Sequence, residues 1–205
     1  MVEHNAEKKW NDIYAACDPS MVQQKTKAVS VLQEHSYLLP TSGLALDLAC
    51  GLGGNAQFLA SFGLQTHAWD ISENAITHLQ SSCKEQGISL TAEVRDIVQQ
   101  PPIANSFDVI CVSYYLERLL TKNIIEALKP NGLLFYQTFI NEKVSDSGPS
   151  NPSYRLQPNE LLALFSSLHI LVYQENGTVG DVRKGLRDTA YLVAQKRVTT
   201  NINDI

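Results

Sequence analysis

Short apolar runs alternate with segments of helical period along most of the chain. Residues 44–50 are apolar except for Asp47, a pattern that predicts a strand buried on both faces of a parallel sheet. Further strands are predicted over residues 64–70, 88–94, 107–113, 133–139, 169–174 and 189–195. Between them, helices are predicted over residues 55–60, 72–86 and 119–128, and from Pro158, where proline suits a first turn. Ahead of the first strand, Trp10, Ile13 and Tyr14 share one face of a helix over residues 7–16, and a second helix spans residues 30–39 up to Pro40. This alternation predicts an α/β, doubly wound parallel sheet with helices on both faces.

The richest local chemistry follows the first strand, in Asp47-Leu48-Ala49-Cys50-Gly51-Leu52-Gly53-Gly54-Asn55. Its glycines permit positive φ angles and let backbone N–H groups approach a ligand, and the turn opens a helix whose dipole faces the bound group. Gly51, Gly53 and Ala56 also satisfy the degenerate dinucleotide fingerprint, so a nicotinamide-dependent oxidoreductase is one alternative. Asp47 weighs against it, because a pyrophosphate would meet a like charge across a poorly screened distance. An acid there favours a cationic ligand.

Composition narrows the class. With 205 residues, 44% hydrophobic and 18% charged, the chain reads as one globular domain over 1–205. A net charge of −5 offers no general attraction to phosphate backbones, so nucleic acid is not an expected partner. The opening residues lack the apolar core of a secretion signal and no apolar run reaches membrane length, so the expected location is the cytoplasm, without a membrane. Cys17, Cys50, Cys83 and Cys111 show no metal or redox spacing, nor do the five histidines, and no metal is predicted.

Asp-Leu-Ala-Cys-Gly-Leu-Gly-Gly-Asn resembles motif I of the class I S-adenosylmethionine-dependent methyltransferases. Taken with Trp69-Asp70, Lys129-Pro130-Asn131-Gly132 and the Pro158 to Leu161 helix start, the chain is similar over most of its length to small bacterial tellurite-resistance-type methyltransferases. The resemblance implies a three-layer, Rossmann-like, mainly parallel seven-stranded sheet with an antiparallel C-terminal strand. It implies S-adenosylmethionine as cofactor and S-adenosylhomocysteine as product, with helices in residues 1–40 over the cofactor pocket. The contacts it implies are Asp47, Ala49, Cys50, Gly51, Gly53 and Asn55 in motif I, Asp70 and Ile71 after the second strand, Asp96 and Ile97 after the third, and Ser113 ending the fourth. Asp70 is placed to accept a ribose diol, or else to cap the helix that Ser72 begins. Asp96 faces adenine or is a solvated acid beside Arg95. Tyr14 touches the ligand or packs with Trp10.

On the acceptor side, Tyr114, Tyr115 and Arg118 project from the end of the fourth strand, either toward substrate or as sheet cover and surface charge. Residues 141–158, with three prolines and Tyr154, form a long substrate-side loop. Arg183, Lys184 and Arg187 lie in the connection between the last two strands, where they hold an anionic acceptor or are simply solvated. The Asn-Pro-Pro-Tyr motif of amino-directed nucleic-acid methyltransferases is absent and no general base stands out. A thiolate, a chalcogen oxyanion or a small-molecule oxygen is therefore the expected acceptor, on a monomer or homodimer. A third class, a non-catalytic cofactor-binding module on the same fold, keeps the same binding residues.

Overall fold

The computed structural model describes residues 3–17 and 26–197, with side chains from residue 6. Helix α1 (Glu3–Ala15) precedes α2 (Ser30–Glu34), after which the chain continues as a 3-10 turn over Ser36–Leu38. The sequence pattern predicts one helix over 30–39; instead it divides at His35, whose backbone leaves the helical region. The core then alternates β1 (Leu44–Leu48), α3 (Gly54–Ser61), β2 (Gln65–Asp70), α4 (Glu73–Gln86), β3 (Thr91–Val94), β4 (Phe107–Ser113), α5 (Thr121–Ala127) and β5 (Leu128–Phe139). It closes with α6 (Glu160–Leu164), β6 (His169–Glu175) and β7 (Thr189–Gln195).

The seven strands form one sheet in the order β3-β2-β1-β4-β5-β7-β6. β1 to β5 pair in parallel, and β7 inserts antiparallel between β5 and β6. The expected α/β, mainly parallel sheet with an antiparallel C-terminal strand is the observed one. Alternate side chains of the central strands enter two separate cores. Leu46, Ile110, Val112 and Leu134 pack with α5 and Phe165, whereas Ala45, Val109 and Phe135 pack with Val31 and Leu32 of α2. That double burial explains why β1 and β4 read as continuous apolar runs.

Several boundaries differ from the pattern: β3 starts at Thr91 rather than residue 88, and the helix expected over 119–128 is α-helical only over Thr121–Ala127. β1 stops at Leu48 because Ala49 turns left-handed, at φ 57°. The Lys129–Gly132 segment, read as a turn before β5, bulges from within it, since Phe107 pairs with Leu128 and Val109 with Leu133. Pro158 lies outside α6, which starts after Asn159 at φ 60°. A left-handed residue cannot continue a helix, so the proline ends the loop rather than opening the helix.

Ser72 caps α4 by accepting from the Ala75 N–H, and its hydroxyl donates to Asn11 of α1. Ser72→Ala is expected to cost about 1 kcal/mol and to lower the thermal midpoint by roughly 2–4 °C. Calorimetric melting checks this, and an unchanged midpoint would remove the cap from the account.

Candidate functional site: the carboxyl edge of β1, β2 and β4

The order of strands reverses between β1 and β4, so the loops at their carboxyl ends splay apart and leave a cleft. The turn after β1 forms its floor. Ala49, Gly51 and Gly53 all have positive φ, at 57°, 52° and 76°. Gly53 caps α3, and a Cβ there would lie 2.3 Å from Leu79 Cδ1 of α4, so only glycine lets the helix pack against the turn. A Cβ on Gly51 would lie 2.6 Å from the Tyr14 hydroxyl, which places α1 directly over the turn.

Two buried acids hold this floor. Asp47 is fully buried and accepts from the Ala56 N–H at 3.0 Å and the Asn55 amide at 3.3 Å. Burial pushes its carboxyl up to about 7, against those two bonds and with Asp70 adding a like charge. Asp47 thus acts inside the turn, setting its shape and field, and its oxygens do not face the cleft as a direct contact would require. Asp70, at the end of β2, accepts from the Gly51 N–H at 2.8 Å and the Ser72 N–H at 2.9 Å. Burial raises its carboxyl too, while the bonds from Ser72, Gly51 and Ile71 oppose the shift. Asp70 thus holds the turn after β1 and the residue that enters α4, while the cap of that helix is Ser72 itself.

Asn55 also turns out to be wired inward. Its amide donates to Ser113 Oγ at 2.8 Å and its carbonyl accepts from the Val29 N–H at 2.9 Å, tying the entry of α2 to the turn and to the end of β4. Cys50 is a buried thiol whose N–H donates to the Trp69 carbonyl, and burial pushes its ionisation up. Along the other wall, Asp96 accepts from the Val98 and Gln99 N–H groups while Ile97 is buried beside it. Arg95 turns away from Asp96 and stacks on Trp69, its guanidinium carbon 3.9 Å from the ring.

The roof comes from α1 and the 141–158 loop. Trp10 and Tyr14 stack at 5.9 Å, and Lys9 places its ammonium 5.6 Å from the Trp10 ring and 5.8 Å from the Tyr154 ring. Burial, then the charge of Asp70, keeps the Tyr14 hydroxyl protonated. Residues 18–25, between these helices, lie outside the described residues. Tyr114 adopts φ 53° and stacks on Phe139 at 5.0 Å, half exposed at the cleft rim. Tyr115 is half-buried, its carbonyl accepting from the Tyr136 hydroxyl; burial, with Glu117, Asp96 and Asp70 nearby, raises its pKa.

The arginines proposed for an acceptor have other work. Arg118 grips Glu160 through two bonds, at 2.6 and 3.0 Å, and donates to the Ser153 and Arg155 carbonyls; this pairing holds the Glu160 carboxyl below its ordinary range. Arg187 donates to the carbonyls of Asn176, Gly177, Val179, Asp181 and Lys184, folding its own loop. Arg183 is exposed and paired with Asp181. Arg183→Ala is expected to leave the melting midpoint and the cofactor affinity unchanged, read by melting and calorimetry. A tenfold loss of affinity would return it to the site.

Sequence reasoning missed Arg155. It is nearly inaccessible, 3% exposed, and donates to the carbonyls of Ile140, Ser147 and Pro149. The 141–158 loop is therefore wrapped around a buried guanidinium. Asp188 pins it from the other side through Val144 and Ser145, bonds that hold the Asp188 carboxyl low despite its burial. No local signal marks Arg155, because its acceptors meet only once the loop closes.

Residues 45–132 match the family described as a methyltransferase domain. The chain is 27% identical over 145 residues to a probable S-adenosyl-L-methionine-dependent methyltransferase TehB of Haemophilus influenzae, covering 68% of this chain and 50% of that protein. It is 28% identical over 123 residues to the putative methyltransferase YqeM of Bacillus subtilis, covering 55% and 49%. The chain thus spans about half the length of the curated relatives it matches. In structure it resembles crystalline TehB from Haemophilus influenzae, with a TM-score of 0.66, 22% identity, and coverage of 82% of this chain and 61% of that one.

Proposed function

We propose that the chain is an S-adenosylmethionine-dependent methyltransferase domain, a reading supported by the match over residues 45–132 and the 27% identity to TehB, and that it moves the methyl group of that cofactor to a small-molecule acceptor at the cleft between β1 and β4. The observation that carries this reading is the pair of buried acids, Asp47 and Asp70, around a turn of three positive-φ residues with Tyr14 laid over it. Such a floor suits a cationic ligand and would repel a pyrophosphate.

In this reading Gly51 and Gly53 keep the floor low enough for the amino-acid end of the cofactor, with Asp47, Ala49, Cys50, Asn55 and Ser113 holding the turn's shape. Asp70 offers its remaining lone pairs to the ribose hydroxyls beside Ile71, and Asp96 with Ile97 receives adenine. The cofactor supplies a methyl already activated by its sulfonium, so alignment and exclusion of water are the protein's main contributions. Tyr14 and Trp10 cover the turn, and Tyr114, Tyr115 and Tyr154 shape the acceptor's approach. Arg118 and Arg187 serve by stiffening the loops around it.

No helix of the described residues is long and apolar enough to cross a membrane. Action in the cytoplasm as a monomer or homodimer belongs to the same proposal, supported by the buried thiols of Cys50, Cys83 and Cys111. Titration calorimetry with S-adenosylmethionine and with NADH tests the cofactor assignment. Binding of the first alone is expected, and binding of NADH alone would overturn it. Release of S-adenosylhomocysteine across thiols, amines, selenite and tellurite then tests for turnover, whose absence throughout would favour the non-catalytic alternative.

A further inference from the structure

The acceptor side carries a charge pattern that the proposed activity does not by itself explain. Every arginine around it is engaged: Arg118 by Glu160 and two carbonyls, Arg155 by three carbonyls, Arg187 by five, and Arg183 by Asp181. Lys143 pairs with Asp146, and Lys184 with Asp181. Deeper in the cleft the charges near Tyr115 are Glu117, Asp96 and Asp70, all acids. Among the described residues, an oxyanion entering here would meet like charge and no open arginine fork to receive it.

One cation at the mouth is held differently. The Lys9 ammonium lies 5.6 Å from the centroid of the Trp10 ring and 5.8 Å from that of Tyr154. It has no carboxylate partner among the described residues. Trp10 belongs to the helix whose Tyr14 covers the glycine turn, and Tyr154 to the loop after β5, so the Lys9 ammonium bridges these two segments at the mouth of the cleft. Two aromatic faces around a positive nitrogen are the arrangement by which proteins recognise ammonium groups.

Resting on the methyl-transfer reading above, we propose that the acceptor is an uncharged amine and that Trp10 and Tyr154 hold the ammonium product, with Lys9 as a tethered occupant displaced on binding. The transfer balances: the carbon–sulfur bond breaks with its pair left on sulfur, the amine's lone pair forms the carbon–nitrogen bond, and the positive charge passes to nitrogen. Proton loss to water comes afterwards. One positive charge is present before and after, so the acids of the cleft and the two rings face a cation throughout. Methylation of an oxyanion would first require a negative charge in that same space.

Tetramethylammonium chloride, titrated against tryptophan fluorescence with sodium chloride as control, reads the ring pair without cofactor or turnover. Trp69 is buried and supplies a constant background. Quenching that saturates, that is lost in Trp10→Phe, weakens about tenfold in Tyr154→Ala and tightens severalfold in Lys9→Ala is expected. Tyr154 is half exposed, so its variant keeps the fold. Absence of a Trp10-dependent signal, or an unchanged response in both Lys9→Ala and Tyr154→Ala, overturns the proposal. In the acceptor panel, turnover of amines but not of selenite or tellurite is expected. Turnover confined to thiols or oxyanions would sink the amine assignment and leave methyl transfer standing, whereas failure to bind S-adenosylmethionine would sink methyl transfer while the tetramethylammonium titration still read the rings.

Discussion

Asp70→Ala is expected to lower stability by about 2–4 kcal/mol and to weaken S-adenosylmethionine binding between tenfold and a hundredfold, the largest single-residue effect in the site. The stability loss comes chiefly from the Gly51 and Ser72 N–H groups, which lose their acceptor together. Each such group costs about 1–3 kcal/mol when left unpaired in a buried site. Relief of the like charge on Asp47 offsets part of that, which keeps the estimate below the simple sum. The affinity loss has a separate cause, since a vicinal diol needs two acceptor oxygens. Asp70→Asn separates the two, because one oxygen remains for the backbone while the charge and one acceptor are gone. It should recover about half of the stability and little of the affinity. Urea unfolding and calorimetry on the three proteins check this, and unaltered cofactor affinity in Asp70→Ala would refute the ribose role.

Asp47 leads to the second large effect, on pH. Its folded pKa, about 7, lies above the ordinary value of 3.8, so the folded protein retains a proton that the unfolded chain releases. Stability from this group is therefore greatest below about pH 4 and falls as pH rises toward 7, by about 4 kcal/mol in all. Asp108, Glu160 and Asp188, whose carboxyls are held low, lose stability in the opposite direction, as pH falls. The diagnostic is thus the difference from Asp47→Asn, which keeps an acceptor for Ala56 and has no charge to bury. That variant should be no more stable than the parent below pH 4 and clearly more stable at pH 8. Cation binding draws a proton off Asp47, so cofactor affinity should rise by up to tenfold per unit toward pH 7 and then level. Parallel profiles for the two proteins would show that Asp47 does not titrate in this range.

Much of the architecture was legible because parallel strands buried on both faces leave unbroken apolar runs, as in residues 107–113, which form β4 as predicted. Gly87 closing α4 and Ser72 opening it were readable for the same local reason. Local pattern failed where a tertiary contact chose the backbone. Asn159 takes a left-handed turn while its N–H donates to Glu175, which moves the helix start past Pro158.

The charged residues divide along the same line. From sequence, Arg118, Arg183 and Arg187 were open basic groups, since nothing local revealed that Glu160, Asp181 and five carbonyls would claim them. Arg155 gave no sign of burial, because its partners come from Ile140, Ser147 and Pro149 and meet only once the loop closes.

By itself the sequence determined the α/β alternation, the acid-then-glycine turn after β1 and the acid ending β2, since strand burial, positive φ and chain spacing act over a few residues. Only the tertiary structure decided that Asp47 and Asn55 face inward, that the arginines stiffen loops and that Lys9 lies near both Trp10 and Tyr154. Those facts depend on which distant segments supply hydrogen-bond partners and ring faces, and that pairing exists only after the sheet has brought the loops of β1, β2, β4 and β5 to one edge.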